Sequence, residues 1–193
     1  KDYKDGKGRR ALQSYLKYGY IPLNDSVKEA FHTCEQVSRT LEYAYDDYAV
    51  AQVAKALGKT EDYRRLMARA RNWRNVINPK TGWADGRWAN GRWLNNSNID
   101  TREPFITEGT PAQYTWYVPH DVYGLIDVMG GKATFTARLD RMFRDSMYWH
   151  GNEPCQQIPY LYAYVGQPWK TQQAVRTILD NEYLDVPGGL CGN

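Results

Sequence analysis

Three short segments of the chain place acidic, amide and aromatic side chains beside glycine or proline. Each lies between predicted helices, where loops commonly present catalytic groups. The sequence therefore predicts a site built from loops on a helical scaffold. The segments are Glu108-Gly109 with Gln113, Tyr114, Trp116 and Tyr117, the run from Trp149 to Pro154, and the run from Gly189 to Asn193.

Glu108 is the candidate proton donor. A carboxyl group beside Gly109, with Tyr114 and Trp116 nearby in sequence, can lie in a partly desolvated pocket. Desolvation raises a carboxyl pKa and suits the group to protonating a leaving group. The alternative is a solvated loop carboxylate, one of 22 acidic residues in the chain.

Asn152 and Glu153 are the candidate metal ligands. They offer a carbonyl oxygen and a carboxylate in tandem, which are hard ligands of the kind that Ca²⁺ accepts. Zinc is disfavoured because the three histidines show no paired spacing and no thiolate pattern accompanies them. His150 and His120 can instead be satisfied loop or core histidines, so spacing alone leaves the role of this loop open.

Two further groups admit a structural explanation. Asp46 and Asp47 lie in a predicted buried helix, where we expect them to be hydrogen-bonded to Tyr43, Tyr45 and Tyr48. Trp83, Trp88 and Trp93 recur at spacings of five among turn residues and could stack on sugar rings or close a hydrophobic cap. Arginines between them would also suit nucleic-acid stacking, but intervening acids and the small net charge make that the weaker explanation.

Composition narrows the class of protein. The 193 residues carry a net charge of +3, too small to indicate a nucleic-acid binder, and 14% of them are aromatic, which a disordered segment would not show. The sequence contains no run of eighteen apolar residues, so it predicts no membrane-spanning helix. The first twenty residues contain no signal-peptide stretch. The three cysteines, Cys34, Cys155 and Cys191, allow at most one disulfide, and inert thiols are the favoured interpretation.

Helical periodicity dominates outside residues 79–117, so we predict an all-α fold of helical hairpins with a turn-rich excursion there. The first helix should span about 9–17 and end at Gly19, and Ser26 is a candidate cap. The next should span 37–58 and be largely buried, with Val50, Val53, Ala54 and Leu57 widening its apolar face and Gly58 ending it. Thr60 should cap the third helix, whose apolar face is formed by Leu66, Ala70, Trp73 and Ile77. Further helices are expected at about 122–129, around the stripe 135–143, and at about 158–165 and 169–183.

Several motifs together resemble glycoside hydrolase family 92, the exo-acting, calcium-dependent α-mannosidases. They cover nearly the whole chain in the family's order. The matching segments are YGYIP at 18–22, VSRTLEYAYDDYAVAQVAKALG at 37–58, EG with QYTWYVPHD at 108–121, WHGNEP at 149–154, PYLYAYVGQPWKTQ at 159–172 and GLCGN at 189–193.

The resemblance implies that the hairpins form part of an (α/α)6 toroid in a longer enzyme, which also has an N-terminal β-sandwich domain. It implies an inverting mechanism with Glu108 as general acid. It places Asn152 and Glu153 at a calcium ion that helps to bind and distort the mannoside. It places Trp149 and His150 at the aglycone subsite, and we expect Tyr114 and Trp116 to contact the sugar as well. The substrates would be α-mannosides such as N-glycans or yeast mannan.

The chain also departs from the family pattern. The general base follows GLCGN in the family, and this chain ends at Asn193, so we expect this chain alone to lack the base and to need the remainder of the enzyme to complete the fold. The 143–149 linker also looks shorter than the family's. A secreted, periplasmic or cell-surface location is implied by the resemblance alone. The alternative hypothesis is a non-catalytic helical module that binds carbohydrate or is purely structural.

Overall fold

The computed structural model describes residues 8–25 and 33–192. The chain divides into two compact units, Lys1–Pro111 and Ala112–Asn193. The all-α prediction is confirmed, because the described residues form helices and only two isolated β-bridges, Ile77 with Ala84 and Arg87 with Trp93. No helix in the described ranges combines the length and apolarity needed to cross a membrane.

The helices are joined by connections of very different length, of which residues 77–110 form the turn-rich excursion. Three 3₁₀ segments, Asn72–Val76, Glu153–Cys155 and Ile158–Val165, accompany them. The α-helices are α1 (Leu12–Tyr18), α2 (Gln36–Ala56), α3 (Thr60–Arg69), α4 (Pro111–Tyr114), α5 (Val122–Val128), α6 (Lys132–Arg144) and α7 (Pro168–Glu182).

In the first unit, α2 packs against α3 and against the 3₁₀ segment that follows it. The apolar face of α2 is buried at four positions, Val37, Leu41, Ala44 and Ala51. Its predicted extension is wrong in part: Ala54 is buried, but the other three side chains are exposed because the C-terminal half of α2 packs only the face that carries Ala51 and Ala54. The exposed residues are Val50, Val53 and Leu57.

Helix ends follow the glycine predictions more closely than the cap predictions. Gly19 directly follows α1, and Gly58 follows α2 after Leu57; both have left-handed backbone angles, with φ of 72° and 67°. Thr60 is not a cap but the first residue of α3, and Lys59 before it makes no side-chain cap bond. Helix α1 begins at Leu12, later than predicted. The Ser26 prediction lies outside the described residues.

The predicted stripe after Thr60 is buried throughout, but the helix that was expected to carry it is shorter. Helix α3 ends at Arg69, and the chain tightens into the 3₁₀ segment. Trp73 and Ile77 therefore reach the core from beyond α3. The periodicity identified the buried face correctly, and it placed the helix end too late.

Asp47 joins three elements of the first unit. Its carboxylate is 1% exposed and accepts hydrogen bonds from Arg9 Nη1 at 2.7 Å, Arg69 Nε at 2.9 Å and Arg69 Nη2 at 2.7 Å. The Tyr15 hydroxyl donates to the same carboxylate at 3.1 Å. Burial, and then the charge of Asp47, raises the pKa of Tyr15. The structural role expected for the acid pair is thus observed, with partners other than the predicted tyrosines.

The excursion is organised by a buried carboxylate. Asp85 accepts hydrogen bonds from Asn78 Nδ2 at 2.9 Å and from the backbone N–H of Asn95 at 3.0 Å. Of the three tryptophans, Trp83 lies in the core and Trp88 is exposed. The Arg87 guanidinium lies 4.9 Å from the centre of the Trp93 ring. The cluster is therefore divided between core and surface.

In the second unit, α6 and α7 both pack against the segment Ile158–Val165, which forms a 3₁₀ helix with Pro159 in its first turn. Asp140 of α6 receives two hydrogen bonds of 2.7 Å from Lys170 Nζ of α7 and one of 3.0 Å from the Tyr162 hydroxyl. These bonds fix the three elements together. The core around them contains Phe135, Leu139, Met142 and Ile158.

Candidate functional site

The loop that carries Glu108 is anchored to the start of α2. The first N–H groups of a helix have no partner within the helix. Here the N–H groups of Val37 and Ser38 donate to the Phe105 carbonyl at 3.0 and 3.3 Å. The Ser38 hydroxyl in turn accepts a hydrogen bond from the backbone N–H of Thr107 at 2.7 Å. The loop therefore has a fixed path up to the residue before Glu108.

Glu108 itself is exposed and has a left-handed backbone, with φ of 51°. The partly desolvated pocket that the sequence suggested is not observed, because the neighbouring apolar side chains Phe105 and Ile106 turn into the core and leave the carboxyl group outside. A non-glycine residue in this conformation carries backbone strain that the surrounding structure must maintain. The loop thus presents a carboxyl group to solvent from a constrained backbone.

Tyr114 and Trp116 are core residues. Trp116 has no exposed surface, and its ring meets Phe135 edge-on at 5.2 Å between centroids. Tyr114 is buried as well. Residue type suggested a stacking surface, and tertiary packing uses both rings inside the second unit; their contact with sugar stays a prediction.

The WHGNEP loop has a compact and specific backbone. Trp149 is 43% exposed, and its indole lies over Gly151, where an added Cβ would be 2.7 Å from Trp149 Nε1. Only glycine fits beneath this ring without a shift. Nearby Cys155 is buried, and burial raises the pKa of its thiol to about 12. The Trp149 ring therefore covers Gly151 while part of the ring faces solvent.

His150 is buried, and both of its ring nitrogens are hydrogen-bonded. Nδ1 lies 2.6 Å from the Tyr148 hydroxyl and Nε2 lies 2.7 Å from the Tyr183 hydroxyl. The histidine therefore has no ring nitrogen left for a sugar hydroxyl. These bonds agree with the alternative of a satisfied loop histidine, and direct contact of His150 with the substrate stays a prediction.

Asn152 and Glu153 differ in their surroundings. Asn152 is 3% exposed, and its Nδ2 atom has no hydrogen-bond partner among the described residues. Because the two ends of an amide exchange by rotation, the side chain has one polar end available to a ligand. Glu153 is exposed at the start of a 3₁₀ turn.

These two residues fit a calcium ion in their donor chemistry, as adjacent sources of hard oxygen. Calcium takes about six to eight oxygen ligands. Within the two described ranges, no group of three or more His, Cys, Asp and Glu side chains is placed to hold a metal. Asn152 and Glu153 could therefore supply only part of a calcium site, and the other ligands would have to be backbone carbonyls, water or groups from elsewhere in the protein.

The third segment, GLCGN, lies beside the second. A Cβ placed on Gly192 would be 3.8 Å from the Gly151 carbonyl oxygen. All three cysteines are free thiols. The structure thus brings GLCGN and WHGNEP together within the second unit, whereas Glu108 belongs to the first unit.

Sequence reasoning missed three residues that support these loops. Ser38 holds the backbone before Glu108, and Tyr148 and Tyr183 bind the two nitrogens of His150. Ser38 and Tyr183 act over 69 and 33 residues of sequence, respectively, so no local spacing could have indicated them. Tyr148 adjoins the WHGNEP motif, and that proximity is the only signal available.

Comparison with known proteins identifies the family. Residues 1–193 match the glycosyl hydrolase family 92 catalytic domain. The chain therefore belongs to this family, as its motifs suggested.

Solved structures and a curated relative agree with that assignment. The GH92 α-mannosidase BT3965 of Bacteroides thetaiotaomicron, solved in complex with mannoimidazole, is similar with a TM-score of 0.86 and 39% identity, over 97% of this chain and 27% of that one. The GH92 inverting mannosidase BT2199 of the same species has a TM-score of 0.86 and 33% identity, over 96% and 27%. An uncharacterised secreted glycosidase of Arthroderma benhamiae is 31% identical over 211 residues, which cover 97% of this chain and 27% of its own length. The chain thus spans about a quarter of the length of these relatives.

Proposed function

We propose that this chain is part of the catalytic domain of an inverting, calcium-dependent, exo-acting α-mannosidase. The observation that carries the proposal is the family match over residues 1–193, together with similar folds in two mannosidases. The substrates would be α-mannosides such as those of N-glycans or mannan. The secreted relative supports a secreted, periplasmic or cell-surface location.

Glu108 is the proposed general acid. Its exposed carboxyl group, on a loop anchored to α2, is accessible to a bound glycoside. In its protonated form it would donate to the glycosidic oxygen as the bond from that oxygen to the anomeric carbon breaks. A water molecule would attack the opposite face of the sugar and lose its proton to a general base. Inverting hydrolysis needs a second carboxyl group, roughly 6.5–9.5 Å from the first, with the attacking water between them. We propose that this base comes from the remainder of the enzyme.

Trp149 is the proposed aglycone contact, because its ring is partly exposed and lies over Gly151. Asn152 and Glu153 are the proposed side-chain ligands of calcium within this chain. A bound calcium ion would supply positive charge and open coordination positions that orient the hydroxyl groups of the sugar. His150 would support this loop from inside the protein through its two tyrosine partners.

Calcium removal provides a test in the complete enzyme that contains this chain. We expect a chelator to abolish release of mannose from α-linked mannobioses and added Ca²⁺ to restore it, because the ion orients the substrate. Mg²⁺ should not substitute, since it is smaller and requires near-octahedral geometry. The measurement is the mannose release rate against free metal concentration.

Two variants connect this test to the loop. Asn152→Ala should raise the Ca²⁺ concentration for half-maximal activity by at least about tenfold, on the scale of losses seen when metal-site partners are removed. Gln156→Ala removes an exposed amide four residues later and should leave that concentration unchanged. Activity indifferent to chelator would contradict the metal role of Asn152 and Glu153.

A further inference from the structure

Tyr183 occupies the junction between α7 and the final segment of the chain. It follows Glu182, the last residue of α7, and adopts an extended backbone with φ of −125° and ψ of 137°. Its hydroxyl lies 2.7 Å from His150 Nε2. The backbone N–H of the next residue, Leu184, donates to the carbonyl of Gly189, the first residue of the GLCGN segment, at 2.8 Å. Tyr183 therefore links the WHGNEP loop to the start of the GLCGN segment.

We propose that Tyr183 is a positioning residue that fixes these two segments relative to each other and thereby orients the Trp149 side of the site. The proposal rests on the mannosidase function proposed above, because it assigns Tyr183 a role in that reaction. Tyr183 acts through His150 and through the turn that leads to Gly189, and it need not touch the substrate.

The hydrogen-bond inventory of His150 supports this role. A neutral imidazole has one donor and one acceptor nitrogen. With Tyr148 at 2.6 Å and Tyr183 at 2.7 Å, one phenol donates to the ring and the other accepts from it. Rotation of the buried ring would break both bonds. The orientation of the His150 ring is therefore fixed, and this constrains its neighbour Trp149.

The other side of Tyr183 depends on a tight turn. The backbone N–H of Leu184 donates to the Gly189 carbonyl at 2.8 Å, and the Gly189 N–H donates to the Val186 carbonyl at 2.8 Å. A Cβ on Gly189 would lie 2.1 Å from the Leu184 carbonyl oxygen, so glycine is required there. The turn reverses the chain directly after Tyr183 and places Gly189, the first residue of the GLCGN segment, beside Leu184.

The protonation state of Tyr183 suits it to this position. Burial, and then the interaction with Cys191, raises the pKa of Tyr183 above its ordinary value. The phenol therefore keeps its proton at neutral pH and is available for the hydrogen bond to His150. Phenylalanine would keep the ring and its edge contact with His150, 5.4 Å between centroids, and lose that hydrogen bond.

The test uses the complete enzyme with the variant Tyr183→Phe and the matched control Tyr123→Phe, which removes the hydroxyl of an exposed tyrosine of α5. For α-linked mannobiose we expect kcat/KM to fall about tenfold in Tyr183→Phe, the size expected for losing about one well-placed hydrogen bond. For α-mannosyl fluoride, which has no aglycone sugar, we expect kcat/KM to change by less than about twofold. A purely structural defect would reduce kcat/KM equally for the two substrates.

A second measurement does not depend on activity. Alkylation of Cys191 by iodoacetamide, followed by peptide mass spectrometry, should be severalfold faster in Tyr183→Phe than in the wild type or in Tyr123→Phe. Cys155 is the internal control, because it is buried and its raised pKa keeps it a thiol. The proposal is overturned if the alkylation rate is unchanged, or if the two substrates lose activity equally or not at all. A wild-type enzyme without mannosidase activity would instead remove the proposed function, and the alkylation rates would still decide whether Tyr183 holds the segment.

Discussion

The substitution Glu108→Gln in the complete enzyme is expected to lower kcat for α-linked mannobioses by about 10²- to 10⁴-fold, the usual contribution of a general acid. Glutamine keeps the size and hydrogen-bonding capacity of the side chain and removes the transferable proton. Binding of the substrate should be largely preserved, so the loss should be in kcat and not in KM.

The leaving group distinguishes this role from a general defect. Fluoride departs from α-mannosyl fluoride with far less need for a proton than a sugar alkoxide, so Glu108→Gln should lose much less activity on the fluoride. Glu61→Gln is a matched control, since Glu61 is an exposed carboxylate at the start of α3. Equal losses on the two substrates, or full activity on mannobiose, would remove Glu108 from the role of general acid.

Replacement of Asp47 is expected to have the largest effect on stability. Asp47→Ala should cost about 3 kcal/mol or more, because it leaves Arg9 and Arg69 without the buried carboxylate that pairs them. The Tyr15 hydroxyl loses its partner in the same change. The measurement is the midpoint of thermal unfolding of the complete enzyme at a fixed scan rate, which should fall by several degrees.

The neighbouring acid supplies the control for this prediction. Asp46 is 53% exposed and lies 3.5 Å from Arg9, so Asp46→Ala should cost no more than about 1 kcal/mol, as exposed pairs do. The two variants remove the same chemical group from adjacent positions of α2. Equal unfolding midpoints for Asp46→Ala and Asp47→Ala would contradict the role assigned to the buried network.

The contrast between these two acids shows what local sequence could predict. Periodicity placed Asp47 in a helix with a buried face, and its structural role followed. The partners predicted for it were tyrosines of the same helix, whereas the observed partners Arg9, Arg69 and Tyr15 lie 38, 22 and 32 residues away. A pattern within one helix carries no information on which distant side chains tertiary packing will bring to it.

At the candidate site too, sequence predicted the position of the loops but not the burial of their side chains. Turn residues and polar side chains correctly predicted that Glu108 and the run from Trp149 to Pro154 lie between α-helices. Residue type did not predict burial: Trp116 and Tyr114 pack in the core, whereas Trp149 is partly exposed. The residues that hold the loops, Ser38 and Tyr183, could not be found because their contacts exist only in the folded chain.

The anomeric configuration of the first product tests the proposed reaction most directly. The complete enzyme would be mixed with an α-linked mannobiose and the released mannose followed by proton NMR, on a timescale shorter than mutarotation. An inverting mechanism with Glu108 as acid predicts that β-mannose appears first and then equilibrates with the α-anomer. Initial release of α-mannose, or no release of mannose from any α-mannoside, would contradict it.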